Sequence, residues 1–202
     1  METGKPFQDY LNKFISLSDE EFDQYLRPVM KIRKFDKKEL LTRAGEVENY
    51  FNFIIKGLVR KYYQKGKTEI NTQISLEGHL IHSQESFHSR TPSEYFVEAI
   101  EPSVVASISY EDLEGIFKQS QKMEHLGRLV ITRTMVLKDK WQIQLVKMTP
   151  RERFLYFVTR NPQLLQRVPQ KYLASYLNIK PETFSRFKHL LRNHSKTMKQ
   201  AV

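Results

Sequence analysis

The 202-residue chain contains no cysteine. That absence removes disulfides, thiolate catalysis, cysteine-ligated iron–sulfur clusters and zinc-finger sites together. No apolar run reaches the roughly 18 residues that a membrane-spanning helix needs. The opening Met-Glu-Thr-Gly-Lys-Pro lacks the apolar stretch of a signal peptide. A cytoplasmic location, away from any membrane, is the expectation. There is no low-complexity run and no internal repeat. Also missing are a Gly-rich phosphate loop, a Gly-x-Ser-x-Gly elbow and a His-Glu-x-x-His motif. Isolated Glu and His residues do not make a site, so a non-enzyme that needs no cofactor is expected.

What is present is a globular composition, 40% apolar, long enough for one large domain or two small ones. The net charge is +10. Residues 141–202 hold twelve Lys/Arg against two acids, Glu152 and Glu182, while residues 1–140 hold 21 of each sign. A single-signed module beside a neutral one is the electrostatic footprint of a polyanion binder. Membrane-surface binding would need an amphipathic helix with its apolar face open to lipid, and the apolar faces here read as parts of a core.

Residues 6–26 read as helical, with Ser18-Asp-Glu-Glu21 as a capping box. From about residue 29 the period changes. Short runs rich in aromatic and β-branched residues follow, such as Phe51-Asn-Phe-Ile-Ile55 and Leu58-Val-Arg-Lys-Tyr-Tyr63. Gly45, Gly57, Gly66 and Gly78 punctuate them. With two further strands over 94–100 and 103–109, about eight short strands predict a jelly roll or barrel. Ser109 caps a short helix to about Phe117, and a longer helix runs from Gln121 to Lys147. Met123, Val130 and Leu137 recur there every seven residues, and Leu126 and Leu129 fill other faces. That spacing suggests a homodimer through Met123, Leu126, Val130 and Leu137; the alternative is one long helix buried within a monomer. Thr149-Pro-Arg-Glu152 is a clear helix start, so a new unit begins near residue 145.

Residues 168–193 read as two helices joined by a three-residue turn. Pro169 begins the first, with Leu173, Ala174 and Leu177 on one apolar stripe. Asn178 can take the left-handed conformation that ends a helix, and Ile179 plugs the corner. Pro181 starts the second helix, with Phe184, Phe187 and Leu191 facing inward. Glu182, Ser185, Arg186, His189 and Asn193 share the opposite face. This is the pattern of a helix-turn-helix whose second helix enters the major groove. Arg can pair with guanine and Glu with cytosine. An ordinary helical hairpin with a solvated charged face is the bland alternative.

A β-roll, a long helix and a helix-turn-helix, in that order, resemble the Crp/Fnr family of bacterial transcription regulators. The resemblance is most specific over Pro169-Gln-Lys-Tyr-Leu-Ala-Ser-Tyr-Leu-Asn-Ile-Lys-Pro-Glu-Thr-Phe-Ser-Arg186, and extends to Phe53-Ile-Ile-Lys-Gly-Leu-Val-Arg60 and 104–113. It implies an α+β chain: a cyclic-nucleotide-binding-like double-stranded β-helix or jelly roll over residues 1–117, a dimerisation helix over 118–144, and a winged-helix-like DNA-binding domain over 145–202. By that similarity Glu182 and Arg186 are the main base-reading residues, and Thr183 and Gln170 touch the backbone. Lys171, Lys180, Ser185 and His189 complete the candidate DNA-binding set. Double-stranded DNA with a palindromic operator, a second copy of the chain and RNA polymerase are the implied partners.

Two departures from the family pattern stand out. Cyclic-AMP-binding members carry a Gly-Glu pair and then an Arg-Ser pair around the cyclic phosphate. Here His82-Ser83 and Ser93-Glu94 occupy those places. The arginine's bidentate donors are lost, a carboxylate beside a phosphate is repulsive, and Arg90 sits before the turn at Pro92. The roll is therefore expected not to bind cyclic nucleotide. Second, nine residues follow Asn193, too few for a full wing hairpin, so a truncated wing is expected. His79, His82 and His88 lack an acid or cysteine to complete a metal set and read as loop histidines. The competing function is a signalling or scaffold module whose roll binds another protein, with incidental nucleic-acid affinity.

Overall fold

A computed structural model describes residues 4–189. Two short helices open it, α1 (Lys5–Leu11) and α2 (Asp19–Tyr25). The capping box at the start of α2 is formed in both directions: Glu21 N–H donates to Ser18 Oγ, and Ser18 N–H donates to Glu21 Oε2. The roll follows as β1 (Lys31–Phe35), β2 (Leu40–Thr42), β3 (Tyr50–Lys56), β4 (Val59–Lys65) and β5 (Thr68–Ser75). It continues with α3 (Gln84–Ser89), β6 (Phe96–Ala99) and β7 (Ser103–Ser109). These strands make two antiparallel sheets, ordered β1-β7-β3 and β2-β6-β4-β5. Seven strands lie among the described residues, where the sequence suggested about eight; the stretch between β5 and β6 carries the helix α3 instead.

The two-residue alternation of β3 and β7 sets the layers. Ile54 and Val105 point between the sheets and join Phe35, Leu41, Val59, Ile81, Val97 and Ala99 in the roll interior. Phe51, Phe53, Ala106 and Ile108 point the other way, into a second core with Phe7, Phe22, Met123, Leu126 and Val130. The outer face of one sheet is therefore covered by helices. The corner between β3 and β4 depends on Gly57. Its φ is +102°, and an added Cβ would lie 2.7 Å from the Ser103 backbone, a conformation and a clearance that only glycine tolerates.

Ser109 caps α4 (Tyr110–Gln119), and Ser120 caps the 27-residue α5 (Gln121–Lys147). Thr149 caps α6 (Pro150–Arg160) with Glu152 closing the box. Then come α7 (Leu164–Arg167), α8 (Gln170–Tyr176) and helical residues 181–189, here α9. Pro169 is the residue before α8 and not its first turn, with ψ of 134°. Phe154, Phe157, Leu164, Leu173, Ala174, Leu177 and Phe184 form the core of this C-terminal head. Leu58 and Ile100 of the roll belong to the same cluster, so the head packs directly on the sheet.

The long helix uses its seven-residue stripe differently from the dimer expectation. Met123, Leu126 and Val130 are buried against the roll of their own chain, and only Leu137 of the four is exposed, at 49%. The same heptad spacing serves an intramolecular face here, because the helix lies along the sheet cover for its first three turns. The face that remains open carries Met135, Val136, Ile143 and Val146.

Candidate nucleic-acid interface and the roll cleft

The turn between α8 and α9 is closed by backbone geometry that the sequence encodes. Asn178 is left-handed, with φ of 52°. Asn178 N–H donates to Ser175 O and Ile179 N–H to Ala174 O, both at 3.0 Å. That pair of bonds satisfies carbonyls that a helix end leaves bare. Ala174 is fully buried, which lets the two helices approach. Phe184 is fully buried and meets Phe154 edge-on with centroids 5.1 Å apart, and Phe187 lies 5.6 Å from the same ring. With those two rings fixed inward, Glu182, Ser185, Arg186 and His189 are exposed on the other side of α9, and Thr183 is half-buried. Gln170, Lys171 and Lys180 are exposed too. Lys171 and Lys180 line one open cleft together with Lys67 at the tip of the β4–β5 hairpin. Leu191, Asn193 and the wing lie outside the described residues.

Two cations of this basic head serve structure. Arg153 is buried and donates to four carbonyls: Leu145 and Met148 at the end of α5, and Leu177 and Asn178 in the turn. One guanidinium thus ties the long helix to the turn. Arg167 donates to Glu77 and Glu101 of the roll. Its guanidinium lowers the Glu77 carboxyl to about 2. Glu77 also accepts the Gly57 N–H at 2.8 Å, so the glycine corner orients the carboxylate that holds the head. Further along, Ser175 Oγ accepts the Asn71 N–H at 2.9 Å and donates to Glu69 O, docking α8 on the edge strand β5. The Tyr172 ring covers the guanidinium of buried Arg60 at 3.8 Å.

A second region of the roll is the one where the resemblance implies a cyclic phosphate in related proteins. Ser93 Oγ donates to Ser83 Oγ at 2.8 Å, and both residues are buried. Ser83 N–H donates to buried Glu48. Arg90 turns away: it donates to Glu48 O, Phe87 O and Asn49 Oδ1 and stacks over Tyr110. Glu94 is exposed and does not line the neighbouring cleft, so the repulsion expected from it is not what shapes the site. His82 is buried among Phe51, Phe87 and His88 with neither ring nitrogen hydrogen-bonded. Burial first, then Lys61, pushes it well below the usual histidine range. No group of three or more His, Asp or Glu among the described residues is arranged to hold a metal ion.

Beside this segment is a cleft of about 260 Å³ with Lys61 of β4 and Lys138 of α5 on its walls, together with Gln84, Glu85, Tyr95 and Trp141. Lys61 Nζ donates to His82 O at 3.3 Å, and Lys138 Nζ donates to Gln84 Oε1. Burial, reinforced by the Lys138 charge, pushes the Lys61 ammonium down to about 7.

Residues 32–120 match the family model of the cyclic nucleotide-binding domain. FixK2 from Bradyrhizobium japonicum is similar in structure, with a TM-score of 0.73 at 18% identity over 83% of this chain and 86% of that one. The Catabolite Activator Protein of Thermus thermophilus gives 0.56 at 20% identity, over 92% and 88%. The chain shares the fold of these two proteins, and its roll carries the match to the cyclic nucleotide-binding domain. In sequence, the Anaerobic regulatory protein of Pasteurella multocida is 23% identical over 184 residues, 85% of this chain. The match spans 66% of that relative, just under two thirds of its length. No helix among the described residues is long and apolar enough to cross a membrane.

The outward face of α9 is legible in the sequence, whereas the roles of Arg153, Arg167, Lys61 and Lys138 are not. The two arginines add to the basic count of the head, which hides that both are consumed internally. The two lysines are 77 positions apart, and only the packing of α5 against the roll brings them to one cleft.

Proposed function

We propose that the chain is a dimeric, sequence-specific DNA-binding transcription regulator whose roll does not take cyclic nucleotide. The observation that carries this is the face of α9. Glu182, Ser185, Arg186 and His189 stand exposed together while Phe184 anchors the helix from behind. Arg and Glu one turn apart on such a face can read adjacent base edges in the major groove. The exposed lysines beside it, Lys171 and Lys180, suit phosphates. A two-fold dimer would read a palindromic operator as two half-sites.

The dimer seam favoured here is Thr132, Val136, Asp139, Ile143 and Val146. They are exposed and follow one another at alternating steps of four and three, the spacing of a coiled-coil stripe. Met123, Leu126 and Val130 are occupied inside the chain. Against cyclic nucleotide stands the closed Ser83–Ser93 hydroxyl pair, where an anion would need paired donors.

Selection from random duplex DNA followed by a salt-controlled shift assay tests the main claim. The expected result is a selected palindrome bound at least about 10³-fold more tightly than random duplex. Equal affinity for both would overturn it. Calorimetry showing stoichiometric, micromolar cyclic-AMP binding would overturn the reading of the roll.

A further inference from the structure

We propose that the cleft between the roll and α5 binds a small oxyanion, a phosphate or a carboxylate on a compact organic body, held between Lys61 and Lys138. The proposal deepens the reading that the roll does not take cyclic nucleotide, and it rests on that reading.

Lys61 is 4% exposed, yet among the described residues neither it nor Lys138 forms an ion pair. A buried ammonium without a counter-charge is costly, and that cost is why its proton is held weakly. The groups facing Lys61 do not neutralise it. His82 offers only its carbonyl. Glu48 is the carboxylate whose charge opposes the downward shift, and its oxygens already accept from Thr42, Tyr50 and Ser83. Lys138 adds a second positive charge and makes the imbalance worse.

Both ammonium groups are tied to one short segment, to the carbonyl of His82 and the side chain of Gln84. They therefore flank one end of the cleft. A single oxyanion there supplies the missing charge to both and converts a repulsive pair into two charge-assisted hydrogen bonds. The other walls describe the body of the ligand. Tyr95 and Trp141 offer flat apolar surface, and Glu85 can accept from a hydroxyl. The volume suits a molecule smaller than a nucleotide.

Trp141 is the only tryptophan, so its fluorescence reports occupancy directly. The full chain would be titrated at constant ionic strength with inorganic pyrophosphate and separately with citrate, against chloride and cyclic AMP as controls. The expected result is saturable fluorescence change and a raised Tm with at least one of the two anions, which assigns the phosphate or the carboxylate source. Lys61→Met and Lys138→Met should each weaken that response about tenfold or more. Lys61→Met should also raise the anion-free Tm, because it removes a buried unpaired charge. A response unchanged in both variants, or none to either anion, would overturn the proposal. Saturable binding of cyclic AMP lost in Lys61→Met would instead overturn the reading of the roll given above, and leave DNA recognition untouched.

Discussion

The indole of Trp141 lies flat on the ring of Tyr176, with centroids 4.6 Å apart and planes within 5°. One partner belongs to the long helix and lines the roll cleft; the other belongs to the first helix of the helix-turn-helix. Tyr176 is also met edge-on by Phe157 at 5.7 Å. The stack is thus a direct side-chain route between the cleft and the head.

Tyr176→Ala should destabilise the chain by about 2–4 kcal/mol, from lost burial and lost stacking together. It should also shift the Trp141 emission to the red as the indole becomes wetter. Tyr176→Phe should do neither. Chemical denaturation and fluorescence spectra check both; an unshifted spectrum in Tyr176→Ala would break the inferred route.

Much of the fold was legible because its signals are local. Ser18 with Glu21, Thr149 with Glu152, and Asn178 followed by Ile179 each settle a boundary within a few residues. The inward and outward faces of α9 were legible for the same reason: Phe184 and Phe187 sit at helical spacing from each other. Residues whose roles depend on a distant element were not legible. Arg153 reads as one more head cation until four carbonyls are seen around it. The stripe Met123, Val130, Leu137 was ambiguous in principle, since a seven-residue repeat cannot distinguish a partner helix from the chain's own sheet. The open stripe opposite carries Thr132 and Asp139 among its apolar members, which weakens its signal.

That ambiguity is testable. Val136→Glu with Ile143→Glu should give folded monomers in sedimentation experiments, because both side chains are exposed in the isolated chain, at 40% and 41%. Val130→Glu should instead lower stability by several kcal/mol, since it places an unpaired carboxylate in the core beside Met123 and Leu126. A double mutant that sediments as the wild-type dimer would move the seam elsewhere.

The buried His82 predicts a pH dependence. Its folded pKa lies well below 6.5 because burial disfavours the imidazolium. The unfolded chain takes up this proton near pH 6.5, whereas the folded chain does not. Stability should therefore fall as pH drops below about 6.5. His79 and His88 are shifted down by burial too and act in the same direction, so the measurement is a difference. Neither His82 nitrogen has a hydrogen bond to lose. Between about pH 7.5 and about pH 5.5, His82→Leu should lose less stability than the wild type. Equal losses in parallel denaturation curves would contradict the burial argument.

Arg186 and Lys180 separate reading sequence from merely attracting a polyanion. Arg186 is exposed on α9 one turn beyond Glu182, where a guanidinium can bridge guanine O6 and N7. Arg186→Ala should cost about 1–3 kcal/mol per half-site and relax the preference at one base pair. Lys180 precedes the helix and lines the open cleft with Lys67 and Lys171, a position suited to a phosphate. Lys180→Ala should weaken selected and random duplex alike and reduce the salt slope by about one unit per half-site. Arg153 and Arg167 offer a control for the charge argument, because both are engaged by carbonyls and carboxylates within the chain. Removing either should lower stability and leave the salt slope per folded molecule unchanged. If Arg186→Ala and Lys180→Ala lose affinity equally for every sequence, with no base preference altered, the basic surface stands and the claim that α9 reads bases does not.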